Sequence, residues 1–155
     1  MTVLLVGLGN SIMGDDAVGI SVVRLLRDSI PARPGLEYKE LSLSGLRLVE
    51  EILGYESVFI IDSVASSETT GRIRELSPEQ FKDTEYASSP HSTNFATALT
   101  LYKKLEPAKI PSTLRIFTID INPEFTFSET LSPQVQRAAS ELAERIAAEI
   151  KRIMA

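Results

Sequence analysis

The chain of 155 residues has no cysteine, a single histidine and no run of basic residues. Without cysteine, a disulfide framework, a thiolate metal site and a cysteine nucleophile are all excluded. The 16 basic and 21 acidic residues leave a net charge of −5. This charge is unfavourable for nucleic acids, whose binding depends on Lys and Arg neutralising phosphates. We therefore expect no nucleic-acid partner.

We expect no targeting or membrane segment at the start of the sequence. Its apolar opening, Val3–Val6, is short, follows no basic region and passes directly into glycines, which is typical of a buried strand. The length suits one domain over residues 1–155, and 43% hydrophobic with 24% charged residues is ordinary globular composition. We expect a cytoplasmic monomer that has no membrane partner.

Apolar runs of strand length alternate with segments of helical periodicity. Strands are predicted at Val3–Val6, Leu36–Leu43, Val58–Ile61 and Leu114–Ile121, with a weaker polar edge or antiparallel strand at Gly71–Leu76. Helices are predicted from Asp15 to Pro31, over Leu46–Leu53 and Thr93–Leu105, and from Ser132, the expected N-cap, onward. This alternation predicts an α/β domain with a largely parallel sheet.

The first loop, GLGNSIMGDDAVG, shares glycines with dinucleotide-binding turns. That fingerprint requires a third glycine where this chain has Ile12, and Asp15 and Asp16 would repel a pyrophosphate at the helix N-terminus. No nucleotide cofactor is therefore expected. We interpret Asp15 as the cap of the following helix and Asp16 as favourable to its dipole. Because capping needs only one acid, the second is available to a ligand.

Three side chains form a candidate metal site. Asp16 follows the first glycine loop, Asp62 directly follows the strand Val58–Ile61, and His91 lies in a polar loop before a helix. Sites in open α/β sheets form beyond the carboxyl ends of strands. Two carboxylates and one imidazole, with open positions left over, suit zinc or nickel. Two alternatives stay open: Asp62 caps the next backbone amides, and His91 is a surface residue.

Five sequence segments occur in order and at matching spacing. They are VGLGNSIMGDDAVG, LSLSGLRLVEEI, VFIIDSV, SPHSTNFATAL and FTIDINPEFTFSETLSPQVQRAA. In these segments the chain resembles the hydrogenase maturation endopeptidase family over nearly its whole length. It departs from the family pattern at Ala17, where many relatives have glycine, and at Ser42-Leu43-Ser44, which replaces a Gly-Gly-Thr-like turn. The second departure bears on which hydrogenase large subunit the protein would recognise.

The resemblance implies a three-layer α/β/α sandwich with a mostly parallel, twisted central sheet. It also implies an aspartyl-type endopeptidase that removes the C-terminal extension of a nickel–iron hydrogenase large-subunit precursor after nickel insertion. The bound nickel would be the recognition signal, and the family's metal contacts fall on Asp16, Asp62 and His91. We expect nickel carried by the substrate, zinc or cadmium as substitutes in vitro, and Asp16 or Asp62 as general base.

Other functions fit parts of the sequence. A non-catalytic metal-binding chaperone or scaffold for hydrogenase assembly would use the same three ligands without cutting. A peptidyl-tRNA-hydrolase-like enzyme shares the VGLGN turn, but it requires an early histidine where this chain has Asp15 and Asp16. A serine protease is not supported, since the chain has no Gly-x-Ser-x-Gly elbow.

Overall fold

The computed structural model describes residues 1–12, 14–81, 94–122 and 130–155. The strands in these ranges are β1 (Val3–Leu8), β2 (Leu36–Leu41), β3 (Ser57–Ala65), β4 (Ile73–Leu76) and β5 (Thr113–Ile121). The α-helices are α1 (Val18–Ser29), α2 (Gly45–Ile52), α3 (Phe95–Leu105) and α4 (Pro133–Ile153). A 3₁₀ turn at Gly14–Ala17, here called the acidic turn, precedes α1.

The described strands form one sheet in the order β2-β1-β3-β5-β4. β1 pairs in parallel with β2 and β3, and β3 pairs in parallel with β5. β4 is antiparallel to β5 at the edge, as the polar pattern of Gly71–Leu76 predicts. The strand order changes direction between β1 and β3, so a crevice is expected at the carboxyl ends of these two strands.

Both faces of the sheet are covered by helices. One face contributes Leu5, Ile61 and Ile119 to a core shared with α1 and α4. The opposite face contributes Val6, Ile60 and Ile116 to a core shared with α2 and α3. Burial on both faces explains why the parallel strands are continuous apolar runs. The predicted α/β/α sandwich with a mostly parallel sheet is confirmed.

No helix in the described part of the chain combines the length and the apolar character that crossing a bilayer requires.

Glycines allow α1 to lie directly against the sheet. A Cβ added to Gly19 would lie 2.3 Å from the carbonyl oxygen of Ile61 and 2.6 Å from that of Leu8. A Cβ added to Gly7 would lie 2.5 Å from the carbonyl oxygen of Gly19. The glycines of the first loop therefore serve close packing of helix on sheet. This packing holds the acidic turn against the ends of β1 and β3.

Candidate functional site

Asp62 lies inside β3, which corrects the predicted end of that strand at Ile61. Pairing with β5 continues through Asp62–Thr118 to Ala65–Ile121, because the backbone bonds do not depend on the polarity of the side chain. Asp62 is 1% exposed, and its Oδ1 accepts the backbone N–H of Ser63 at 2.7 Å. The alternative of a bond to the next backbone amide is thus observed, and it orients the carboxylate.

Asp16 reaches the same part of the molecule from the acidic turn. The hydroxyl of Ser63 donates to Asp16 Oδ1 at 3.1 Å, so Asp16 contacts the residue that directly follows Asp62. Gly9, with φ at +149°, lies against this turn, and a Cβ there would lie 2.4 Å from the carbonyl oxygen of Asp16. Two carboxylates from separate elements therefore approach the carboxyl end of β3.

The crevice expected from the strand order, between β1 and β3, would open beside these carboxylates. The pairing of β1 with β3 ends at Gly7–Ile61, one residue before Asp62. Since neighbouring strand residues point to opposite faces, Asp62 lies on the α3 side and Ser63, with Asp16, on the α1 side. A ligand that contacts both carboxylates would therefore lie at the end of the sheet rather than over either face.

Asp15 does not cap α1, which corrects the sequence interpretation. The N-cap of α1 is Ala17, and no side chain caps that end. Asp15 instead accepts two hydrogen bonds from Ser132, the backbone N–H to Oδ1 and the hydroxyl to Oδ2, both at 2.7 Å. Ser132 is the N-cap of α4, as predicted, but its hydroxyl bonds to Asp15 rather than to an amide of its own helix. We call this pair the Asp15–Ser132 clamp.

Ser42 stands in the segment that departs from the family pattern. Its hydroxyl donates to the carbonyl oxygen of Gly9 at 2.6 Å, and the N–H of Gly9 donates to the carbonyl oxygen of Leu41 at 3.1 Å. These bonds join the loop after β1 to the end of β2. They fix the glycine loop on which the acidic turn rests.

His91 lies outside the described residues, so its role as a ligand stays a prediction. The helix that follows it, α3, begins at the N-cap Asn94, whose side chain accepts the N–H of Thr97 at 2.9 Å. This helix packs on the sheet face that carries Ile60 and, by alternation, Asp62. Within the described ranges no three His, Asp or Glu side chains gather into a metal site. Carboxylates alone suit hard cations, so nickel would need a softer ligand from His91 or from the substrate.

A cleft of about 560 Å³ adjoins the acidic turn. Hydroxyl, amide and carboxylate groups dominate its lining, which includes Asp15, Ser67, Glu68, Asn122, Ser132 and Gln134. Its volume lies in the range of small-molecule sites. The cleft offers room for a polar segment of a bound chain beside Asp16.

Sequence reasoning missed a second buried carboxylate, that of Asp120. Arg74 donates to it through Nε and Nη2 at 2.8 to 3.1 Å, and the hydroxyl of Thr69 donates at 2.5 Å. The hydrogen bond to Asp120 is the main cause that raises the pKa of Arg74. The sequence signal is the alternation Thr118-Ile119-Asp120-Ile121, which puts two polar side chains on one face of an apolar strand.

Ser63 is another contact that sequence reasoning missed. It is 3% exposed and joins Asp16 to β3. A small hydroxyl directly after Asp62 in an otherwise apolar run was the available signal, because alternation sends it to the face opposite Asp62.

Comparisons with known proteins identify the family. A family model described as hydrogenase maturation protease matches residues 20–149. A comparison with curated protein sequences finds no significant match. The family match begins at residue 20, after the acidic turn.

Two solved structures illustrate the structural likeness. The hydrogenase maturating endopeptidase HybD from E. coli is similar with a TM-score of 0.77 and 21% identity, covering 98% of this chain and 93% of that chain. The [NiFe] hydrogenase maturation protease HybD from Thermococcus kodakarensis is similar with a TM-score of 0.67 and 26% identity, covering 97% of this chain and 99% of that chain. Since the family model matches most of the sequence, the chain belongs to the hydrogenase maturation protease family and is a peptidase.

Proposed function

We propose that this peptidase removes the C-terminal extension of a nickel–iron hydrogenase large-subunit precursor after nickel insertion. The family assignment supports a hydrogenase precursor as the kind of substrate. The observation that carries the proposal is the hydrogen bond from Ser63 to Asp16, which holds Asp16 against the residue that directly follows Asp62 in β3. Carboxylates from two elements at a switch in strand order are well placed to bind a cation that another protein carries.

In this proposal the nickel belongs to the substrate. Asp16 and Asp62 offer carboxylate oxygens, and His91 offers an imidazole nitrogen, a donor set that suits nickel. Resident catalytic zinc is commonly held by sets rich in histidine, and this sequence has one histidine. The three side chains therefore complete the coordination of a metal that the precursor already holds. Zinc or cadmium ions are expected to bind the same side chains in vitro.

The charge of the site supports a cationic target. Asp15, Asp16, Asp62 and Glu68 all lie near the carboxyl ends of β1 and β3, in a chain of net charge −5. Such a concentration of negative charge attracts a metal-bearing segment and raises its rate of encounter. The polar cleft beside the acidic turn would then receive the chain that flanks the metal.

Cleavage adds water across the scissile peptide bond. In the proposed chemistry Asp16 or Asp62 acts as general base and takes a proton from water while the water oxygen bonds to the carbonyl carbon. The same carboxyl group then gives the proton to the leaving nitrogen, and the C–N bond breaks to yield a carboxylic acid and an amine. Asp16 is the more accessible of the two carboxylates, so water reaches it more directly.

Membership of a protease family favours an endopeptidase over the two alternatives, a non-catalytic scaffold and a peptidyl-tRNA-hydrolase-like enzyme. The scaffold would grip the same precursor through the same side chains and leave it intact. The decisive difference is therefore a shortened product.

The test compares nickel-loaded and nickel-free precursor after mixing with protein that has been stripped by chelator and desalted. Mass spectrometry should show a shortened large subunit only for the nickel-loaded precursor. Asp16→Asn should abolish shortening, and Asp28→Asn, at an exposed position of α1, is the matched control. Binding without shortening would support the scaffold. Two results would contradict recognition of the precursor's nickel. One is rapid cleavage of nickel-free precursor, and the other is activity restored by zinc bound to the protease alone.

A further inference from the structure

The hydroxyl of Thr118 is buried without a hydrogen-bond partner among the described residues. Thr118 is 0% exposed and lies in the interior of β5. Burial removes a hydroxyl from water, and without a partner that loss is not compensated. Valine has the same shape and no polar group, so the fold alone gives no reason for threonine here.

The position of Thr118 supplies a reason, since it is the register partner of Asp62 across β3 and β5. Residues in register on neighbouring strands carry their side chains on the same face, with the strands about 4.8 Å apart. At that strand spacing a threonine hydroxyl and an aspartate carboxylate are close enough to hydrogen-bond when their side chains turn toward each other.

The other neighbour of Thr118 is engaged elsewhere. Arg74 is in register with Thr118 across β4 and β5, but its guanidinium group bonds to Asp120 at 2.8 Å. Asp62, Thr118 and Arg74 therefore form a polar row across three strands. Among the described residues, the carboxylate in register with the threonine hydroxyl is that of Asp62, because Asp120 is already bonded to Arg74 and Thr69.

We propose that Thr118 is a positioning residue for Asp62, donating its hydroxyl proton to that carboxylate when Asp62 turns toward the metal of the substrate. The inference rests on the proposed function, because it requires Asp62 to contact a metal-bearing substrate. Hydrogen bonds to a metal-binding carboxylate fix its orientation, and their loss typically weakens metal binding. Burial of the hydroxyl is thus unfavourable in the resting protein and is compensated when substrate binds.

Two substitutions separate this role from simple packing. Thr118→Val removes the donor and should raise the thermal midpoint by about 2–4 °C. It should weaken binding of cadmium ions, measured by calorimetry, and lower kcat/KM for nickel-loaded precursor, each by about tenfold. Thr118→Ser keeps the donor but loses a buried methyl group, so it should lower the thermal midpoint and retain cadmium affinity and kcat/KM. A purely structural residue would not move stability and function in opposite directions.

Two controls complete the experiment. Ser57→Ala removes a buried hydroxyl at the opposite end of β3, where it donates to Met1 Sδ at 3.8 Å, and should change neither cadmium affinity nor cleavage. Asp62→Asn should lose both. If Asp62→Asn loses both while Thr118→Val keeps both at the wild-type level, the role of Thr118 is overturned and the proposed function stands. If Asp62→Asn keeps both, the role of Asp62 at the metal is overturned, and the role of Thr118 with it, whereas failure of the wild-type protein to cleave nickel-loaded precursor would overturn the proposed function.

Discussion

Two buried aspartates lie in neighbouring strands of the sheet in contrasting surroundings. Asp120 of β5 is bonded to the guanidinium group of Arg74, so its charge is matched within the fold. Asp62 of β3 is bonded to the N–H of Ser63, whose hydroxyl is bonded to a second carboxylate, that of Asp16. Removing the guanidinium from such a pair would leave an uncompensated buried charge, which is strongly destabilising. Carboxylates brought together at a crevice are instead the arrangement expected of a functional site.

The largest expected effect is on cleavage, and it comes from Asp62→Asn. Asparagine keeps the shape and an oxygen for the N–H of Ser63, but it removes the charge that would contact the metal or accept a proton. Cleavage of nickel-loaded precursor should slow about 100-fold or more. The thermal midpoint should change less than that of Arg74→Met, because asparagine keeps the oxygen that accepts the N–H of Ser63. A fall in stability without a fall in cleavage would give Asp62 a structural role like that of Asp120.

Arg74→Met should give the opposite pattern, with a large effect on stability. The substitution leaves Asp120, which is 0% exposed, without its cation. Unfolding by urea should show a clear loss of stability, larger than that from any exposed pair, because the Asp120 carboxylate stays buried without its guanidinium. Adding Asp120→Asn should recover most of the loss. Cleavage per folded molecule should stay close to that of the wild type, and a selective loss of cleavage would contradict a structural role.

Most of the fold could be predicted from local patterns. The apolar runs of β1, β3 and β5 require cover on both faces, and the helical periodicity between strands supplies it. The end of β3 could not be predicted, because Asp62 and Ser63 are polar. Their backbone groups nevertheless pair with β5, and such pairing depends on a strand more than 50 positions away in the sequence.

The acidic residues of the site could be predicted from the sequence, but their hydrogen-bond partners could not. The acidic pair was visible, but capping rules are local, and Asp15 bonds to Ser132, 117 positions away. The bond from Ser63 to Asp16 likewise joins positions 47 apart. Long-range contacts of this kind depend on how the helices pack against the sheet. The place of His91 relative to these acids remains a prediction.

The Asp15–Ser132 clamp offers a third test of intermediate size. Asp15→Ala removes both bonds at the start of α4 and should lower the free energy of unfolding by about 1–2 kcal/mol. Ser132→Ala removes only the hydroxyl bond and should cost less. Because Asp15 directly precedes Asp16, Asp15→Ala should also slow cleavage by about tenfold through misplacement of that carboxylate. Asp28→Ala on α1 is the matched control. Unaltered cleavage in Asp15→Ala would show that Asp16 does not need the clamp.

The smallest expected effect tests whether burial is what makes a carboxylate–guanidinium pair matter. Glu40 of β2 forms a similar carboxylate–guanidinium pair near the surface. Its carboxylate lies 2.8 Å from Arg24 and 3.2 Å from Arg27. The hydrogen bond from Arg24 is the main cause that lowers the pKa of Glu40, and partial burial opposes it. A lowered pKa means that the stabilisation is present above the ordinary value of 4.5 and is lost as pH falls through the lowered value.

Glu40→Gln should therefore be less stable than the wild type at neutral pH by about 0.5–1 kcal/mol, since exposed pairs are screened by solvent. The difference should shrink as the pH falls below the ordinary carboxyl range and disappear once Glu40 is protonated in both states. Urea unfolding over a series of pH values measures this, with Glu144→Gln at an exposed position of α4 as the control. A difference that persists in acid would mean that Glu40 acts through packing. A loss as large as that of Arg74→Met would mean that burial of Asp120 is not what distinguishes the two pairs.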